Sequence, residues 1–256
     1  MKKFDDKIKI ACVSDVHCGA LEHMEPEWKQ FIKQVQDDPS LYLILNGDLI
    51  NNNTRSSVGS PWDDTIRPRE QKRMMVDYLT PIKDRILCVT SGNHERRSLK
   101  DVDDDPTYDI MTKLDIEDIY RQNAAFMKIQ IGERGKTYSC KGRGKQTYNF
   151  AITHGAGGGI YTGATVNRNE RWGNIIENVD CVIVGHTHKG TVTRPSKLVF
   201  DSYNNKVTMR DYLVISCVAW QRYAEYPLQK MMLPASTGNP QILYLNDKKK
   251  QIEVRW

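Results

Sequence analysis

The chain has 256 residues, with 37 lysines and arginines against 32 aspartates and glutamates, for a formal net charge of +5. That mixed balance permits a nucleic-acid partner without demanding one, and a hydrophobic fraction of 39% excludes wholesale disorder. The length suits one large domain over residues 1–256; the apolar run from Ile8 to Val13 is too short for a signal-peptide core or a membrane span, so a soluble, cytoplasmic protein with no membrane partner is expected.

In chain order, the first apolar run, Ile8 to Ser14, is β-compatible and ends in the polar tip Asp15-Val16-His17. Glu27 to Asp37 follows Pro26 and carries Trp28, Phe31, Ile32 and Val35 at helical spacing, which predicts an amphipathic helix. Leu41 to Leu45 is a continuous apolar strand of the kind buried on both faces, and it too ends in a polar tip, Asn46-Gly47-Asp48. A long polar stretch from Asn51 to about Arg67 precedes a second helix, roughly Arg69 to Lys83; loops of that length are often functional. A third strand, Arg85 to Thr90, ends in Ser91-Gly92-Asn93-His94-Glu95. Strand, helix, strand, helix, strand calls for a parallel sheet with right-handed crossovers and reactive tips at its carboxyl edge.

Beyond the acidic run Asp101 to Asp105, a helix is predicted from Pro106 to about Gln122. Strands then take over at Ala125 to Ile131, Thr137 to Cys140 and Gln146 to Thr153, with a turn at Lys141 to Lys145, and the last of them ends in His154. One more helix, about Thr165 to Asn178, leads to the strand Asp180 to Val184 and the tip Gly185-His186-Thr187-His188. Further β-like runs lie near 190–193, 197–202, 206–214, 215–219 and 241–245, and Lys248 to Lys250 reads as a hairpin turn. Cys12, Cys88, Cys181 and Cys217 sit inside apolar runs and read as buried free thiols. Neither Cys18 nor Cys140 has a C-x-x-C neighbour, so a zinc ribbon or redox motif has no support.

Five of the six histidines, all but His23, stand just beyond a predicted strand end, within four residues of it, and each within two residues of a Gly, Asp or Asn. Imidazole, carboxylate and amide oxygen together suit a borderline or hard divalent ion, and the absence of thiolates argues against a structural zinc site. The i, i+2 pairs Asp15/His17 and His186/His188 are expected on one side of an extended backbone, where both members reach one small volume. Any single pair is weak; the weight lies in the recurrence of such tips in order. Capped or core histidines beside turn-forming glycines explain one motif, but not five in series.

The series Asp15-Val16-His17, Gly47-Asp48, Gly92-Asn93-His94-Glu95, Thr153-His154-Gly155 and Gly185-His186-Thr187-His188, spread from about residue 8 to 190, resembles the calcineurin-like metallophosphoesterase family. The resemblance implies an α/β fold, a four-layer α/β/β/α sandwich of two mixed β-sheets flanked by helices, with the site at one end and residues 190–256 closing the second sheet. It also implies two divalent metal ions per chain, with Asp15, His17 and His188 on the first and Asn93, His154 and His186 on the second. Asp48 would bridge them, its two oxygens serving cations about 3.5–4 Å apart. His94 is implied to act in catalysis without binding metal, donating a hydrogen bond or proton toward the leaving-group oxygen while a metal-activated water attacks phosphorus. This mixed ligand set accepts Mn²⁺, Fe, Zn²⁺ or Ni²⁺, manganese being the first expectation.

Arg55, Arg67, Arg69, Arg96 and Arg97 flank the motifs. Arg96 and Arg97, directly after His94-Glu95, are the better candidates for gripping a substrate phosphate; the alternative for each is a solvated charged face. The Gly155 to Gly159 run offers a backbone able to approach a ligand, or a plain loop, and Trp62, Tyr161 and Trp172, expected in loops, would suit stacked bases. The preferred expectation is a phosphodiesterase or nuclease acting on DNA, RNA or a nucleotide. A phosphomonoesterase and a catalytically inactive, metal-bound interaction module are the alternatives.

Overall fold

The computed structural model describes residues 2–4, 6–55, 57, 62, 64–132, 145–223 and 225–256. In chain order the first half holds β1 (Lys2–Phe4), β2 (Ile8–Val13), α1 (Glu25–Asp37), β3 (Leu41–Asn46), α2 (Pro68–Leu79), β4 (Ile86–Thr90), α3 (Glu95–Val102), α4 (Pro106–Lys113), β5 (Tyr120–Arg121) and β6 (Ala124–Ile131). The second half holds β7 (Gln146–Thr153), α5 (Thr162–Ile175), β8 (Cys181–Val184), β9 (Thr191–Thr193), β10 (Ser196–Asp201), β11 (Lys206–Asp211), β12 (Leu213–Ser216), α6 (Glu225–Gln229), β13 (Ile242–Leu245) and β14 (Glu253–Arg255).

Among the described residues the strands form two six-stranded sheets, β14-β13-β2-β3-β4-β5 and β1-β6-β7-β8-β12-β9, and a separate two-stranded ribbon, β10-β11. β2, β3 and β4 run parallel, as their intervening helices require. In the other sheet β7, β8 and β12 run parallel. Side chains alternate between faces along a strand, and here both faces are covered, which is why these strands read as unbroken apolar runs. In β2, Ile8, Ile10 and Cys12 enter the layer between the sheets, while Ala11 and Val13 face the helices. In β8, Cys181 and Ile183 point inward and Val182 and Val184 outward, beneath α5. Helices α1, α2 and α4 cover the first sheet through Trp28, Phe31, Met75, Leu79, Ile110 and Met111. These are the four layers expected, and each fully buried Leu, Ile or Phe stabilises them by about 1.5–3 kcal/mol. Cys12, Cys18, Cys88, Cys181 and Cys217 are free and buried, and no helix among the described residues is long and apolar enough to cross a membrane.

Several boundaries differ from the sequence-based expectation. The helix expected over 69–83 ends at Leu79 and tightens into a 3-10 turn, Thr80–Arg85, because Pro81 cannot donate into an α-helical ladder. The helix expected from Pro106 to Gln122 stops at Lys113; Asp115 takes a left-handed φ of 61°, and Tyr120–Arg121 pairs with β4. The run 206–214 is two strands in different sheets, broken where Tyr212 turns inward and bonds Asn174 through its hydroxyl. The strand expected over 215–219 ends at Ser216 as the tail of β12, and the helix expected over 165–178 spans Thr162–Ile175. The closing strands do not all join one sheet: β9 and β12 complete the second, whereas β13 and β14 return to pair beside β2. The strand at 137–140 and all of its following turn but Lys145 lie outside the described residues.

Candidate metal centre

Five strands end at the same edge of the sandwich. β2, β3 and β4 deliver Asp15, His17, Asp48, Asn93 and His94 from one sheet; β7 and β8 deliver His154, His186 and His188 from the other. Side chain to backbone bonds clamp the two sheets together there. Asn46 Nδ2 donates to the Thr153 carbonyl (2.8 Å), His154 Nδ1 donates to the Asn46 carbonyl (2.7 Å), and the His186 amide donates to Asp15 Oδ2 (2.9 Å). Gly92 and Gly185 lie at the closest approaches. A Cβ on Gly92 would strike Asp48, and one on Gly185 would strike Ser14 and Asp15.

The i, i+2 pairs do not sit on extended backbone. Asp15 (φ 55°), His17 (φ 49°), His186 (φ 69°) and His188 (φ 56°) are all left-handed, as is Asp48 (φ 50°). Each pair therefore converges through a pair of tight bends beyond the strand end. Asp and His tolerate this region better than most residues, yet such strain costs of order 1–3 kcal/mol per residue and concentrates at functional sites.

Three sets of atoms close on one another: Asp15, His17 and His188; Asp48, His154 and His186; and His17, Asp48 and His94. Asp48 Oδ2 lies 3.1 Å from His154 Nε2 and 3.9 Å from His17 Nε2, between the first two sets. Asn93 Oδ1 stands 3.0 Å from His154 Nε2 and 2.6 Å from His186 Nδ1. The structure thus brings all seven residues expected to bind metal into one cluster, Asp15, His17, Asp48 and His154 buried and Asn93, His186 and His188 partly exposed, with His94 beside them. His23, left out of the expected set, bonds the Val16 carbonyl instead.

The donor chemistry of this cluster fits divalent cations. His154 spends its Nδ1 hydrogen on Asn46, so its Nε2 meets two oxygens, from Asp48 and Asn93, with nothing between unless a proton or a cation bridges them. His17 Nδ1 faces Asn51 Oδ1 at 3.2 Å, which turns its Nε2 toward His188 Nε2 at 3.1 Å, nitrogen against nitrogen. Asp15 Oδ1 is buried with no hydrogen-bond partner among the described residues, although His188 Nε2 stands 3.2 Å away. Outer-ring bonds that fix each imidazole and free the other nitrogen are the usual support for metal-binding histidines.

Charge follows the same pattern. Burial alone would raise Asp15 and Asp48, but the surrounding imidazoles, His188 and His154 for Asp15 and His154 and His94 for Asp48, hold both carboxyls below the usual range. Burial opposes a charge on His154, yet Asp48 and Asp15 raise it to about 10. Burial and His94 lower His17, and burial and His154 lower His186. The cluster stands as two carboxylates amid imidazoles competing for protons, a place divalent cations would take over.

Sequence reasoning missed the supports. Glu95, fully buried, accepts the amides of Asp48 (3.0 Å), Leu49 (2.6 Å), Ile50 (3.2 Å) and Gly92 (2.9 Å), tying the tip of β3 to the tip of β4. Burial and the Asp48 charge push its carboxyl up to about 7, against the pull of the Ile50 amide. Asn51 receives His17 on its side chain and His94 Nδ1 on its carbonyl (2.7 Å), and its own amide donates to Asp64 (2.7 Å) in the long loop. The only signal for it was its place just past Asp48.

The arginines divide. Arg97 donates to His94 Nε2 (3.0 Å) and to Asn53 Oδ1 (2.8 Å), and Arg96 Nε donates to the Gly92 carbonyl (3.1 Å). Arg69 pairs with Glu70 at the surface, while Arg55 and Arg67 are exposed. The Gly155 to Gly159 run is pinned by cations, Arg168 on the carbonyls of Ala156 and Gly158 and Lys189 on those of Gly159 and Ile160. Tyr161 and Trp62 are exposed, but Trp172 is no loop aromatic: it lies in α5, stacked on Phe126 with ring centroids 6.5 Å apart, because that face of the helix covers the second sheet.

The family model described as calcineurin-like phosphoesterase matches residues 8–190. No curated protein matches the chain. Among solved structures, a Streptococcus pneumoniae protein described as a conserved uncharacterized protein and predicted phosphoesterase is 12% identical, with 97% of this chain and 87% of that one covered and a TM-score of 0.40. A hypothetical protein from Thermus thermophilus is 10% identical over 97% and 98% of the two chains, with a TM-score of 0.43. NAD nucleotidase of Haemophilus influenzae is 8% identical with a TM-score of 0.42; 98% of this chain aligns, spanning about half (49%) of that one.

Proposed function

Because the chain belongs to the calcineurin-like phosphoesterase family, and is thus a metallophosphoesterase that hydrolyses phosphoester bonds, we propose that it works as a dinuclear enzyme on phosphodiesters of nucleic acids or nucleotides. The observation that carries the dinuclear reading is the position of Asp48 Oδ2 between the set of Asp15, His17 and His188 and the set of His154, His186 and Asn93. Asp48 is the proposed bridge and the others the terminal ligands. Two dications held there would supply Lewis acidity toward the phosphoryl oxygens and an activated water for in-line attack.

The chain's own part is positioning and proton transfer. The Asn51 carbonyl can only accept, so His94 carries its hydrogen on Nδ1 and presents Nε2 to the site opening, where Arg97 now occupies it. Burial lowers the His94 pKa against the opposing pull of the Asp48 carboxylate, and Arg97 lowers it further, which favours the neutral ring before substrate arrives. A substrate phosphate drawing Arg97 to itself would free Nε2 to take up a proton from solvent and pass it to the leaving oxygen. The diester preference rests on the exposed Trp62 and Tyr161 as stacking surfaces and on the basic balance of the chain; manganese is the preferred metal on its match to mixed nitrogen and oxygen ligands. Incubation with Mn²⁺ against a phosphomonoester dye, a bis-phosphodiester dye and single- and double-stranded DNA tests this. Cleavage of the diesters is expected; cleavage of the monoester alone replaces the reading with a phosphomonoesterase, and silence on all with metal bound favours an interaction module.

A further inference from the structure

The ribbon of β10 and β11 stands apart from both sheets and pairs with no third strand among the described residues. Its register sets Leu198 opposite Met209 and Phe200 opposite Val207, and directly opposed residues share a face. That face is apolar and open: Leu198 is 75% exposed, Met209 72%, Phe200 74% and Val207 56%, with Tyr203 in the turn at 93%. The other face carries Lys197, Asp201, Lys206 and Arg210 around the pair Val199 and Thr208. It is tied to the body of the protein, Lys197 donating to the Ile176 carbonyl and Arg210 pairing with Asp180. The ribbon is thus amphipathic with its apolar side turned outward.

A lone two-stranded ribbon is marginally stable in water, and monomeric proteins rarely expose an apolar patch beyond a few hundred Å². We propose that this face packs against the same face of a second copy of the chain, the two ribbons stacking about a two-fold axis as a small sandwich. At ~150–200 Å² per large side chain, the exposed parts of Leu198, Phe200, Val207 and Met209 offer on the order of 500 Å², over half of the roughly 800 Å² per partner of a standard interface. The face also suits its own image. Its one charged residue, Asp211, sits at the root and is engaged by Ser196 Oγ (2.6 Å), so two copies meet without opposed like charges, and an isologous contact needs no second complementary surface. A nucleic acid would demand cations that this face lacks.

Sedimentation velocity at about 20 µM chain, above the micromolar ceiling for interfaces of this size, is expected to give twice the chain mass. Phe200→Glu combined with Met209→Lys is expected to halve that mass, whereas Thr208→Lys, on the charged face, leaves it doubled. Should the double variant fold poorly, hydrogen exchange of the unaltered protein decides: dilution by about a hundredfold, enough to shift a micromolar equilibrium, is expected to deprotect the β10 and β11 amides selectively. A single-chain mass at the higher concentration overturns the proposal, as does a folded double variant that keeps the doubled mass, or ribbon exchange indifferent to dilution.

Discussion

His94 is joined to its surroundings at both ring nitrogens, and only one of those bonds is to backbone. Losing the ring removes a proton donor but no proposed metal ligand. His94→Ala is therefore expected to keep both metals by metal analysis while turnover falls by about 10²–10⁴-fold; an unchanged rate would take His94 out of the mechanism. Glu95 acts at one remove. Its carboxylate accepts four main-chain amides, and Glu95→Gln turns an NH₂ group toward some of them, leaving buried donors unpaired at a cost of about 1–3 kcal/mol. The Asp48 backbone, left-handed at φ 50°, loses its brace. Metal affinity is expected to weaken by about 10–100-fold in a metal titration, with folding retained. Affinity equal to that of the unaltered protein would reduce Glu95 to a filler of space.

Between elements, the start of β2 is fastened to the turn between α1 and β3 by Lys9 and Asp38, 2.6 Å apart. Burial pushes the Asp38 carboxyl up, but Lys9 and both the hydroxyl and amide of Ser40 pull it down further, below its ordinary value. A carboxyl depressed on folding stabilises the protein above its unfolded pKa, and that contribution fades as pH falls through the folded value. The pair is partly solvated, so Asp38→Asn is expected to cost less than ~1 kcal/mol near pH 7 and less still at low pH, near pH 2. Urea melts at the two pH values check the closing of that gap. Elements such as β2, β3 and β8 were legible from sequence because each is buried on both faces and ends in a polar tip. β1 was not, being three residues that gain stability only by pairing with β6, some 127 residues later. α3 was hidden because its residues are mostly charged and its buried side is made by Glu95 and Ser98. The candidate ligands were legible as residue types at strand ends, but their left-handed backbone and the roles of Asn46, Asn51 and Glu95 depend on partners brought together by tertiary contact.

Across the whole molecule, the proposed ligands divide four and three between the sheets, Asp15, His17, Asp48 and Asn93 against His154, His186 and His188. Cations bound there would stabilise the folded state alone, by about 2.7 kcal/mol at a hundredfold excess over the dissociation constant. Chelation is therefore expected to lower the melting temperature by several degrees, and re-addition of Mn²⁺ to restore it; a melting curve blind to both would mean that no cation is held between the sheets.

The division has a mechanical side. Each proposed ion draws ligands from both sheets, so the apolar layer between them, with Ile10, Cys12, Ile44, Ile152, Ile183 and Ile215, would act as a gauge block for the chemistry at its rim. Productive geometry tolerates errors of about 0.5 Å. Ile183→Ala, which touches no substrate, is expected to destabilise the fold by about 2–5 kcal/mol and to slow hydrolysis in the fraction that stays folded, as calorimetry alongside rates per folded molecule will reveal. A hydrocarbon side chain in the middle of the sandwich would then be tuning a reaction it never meets.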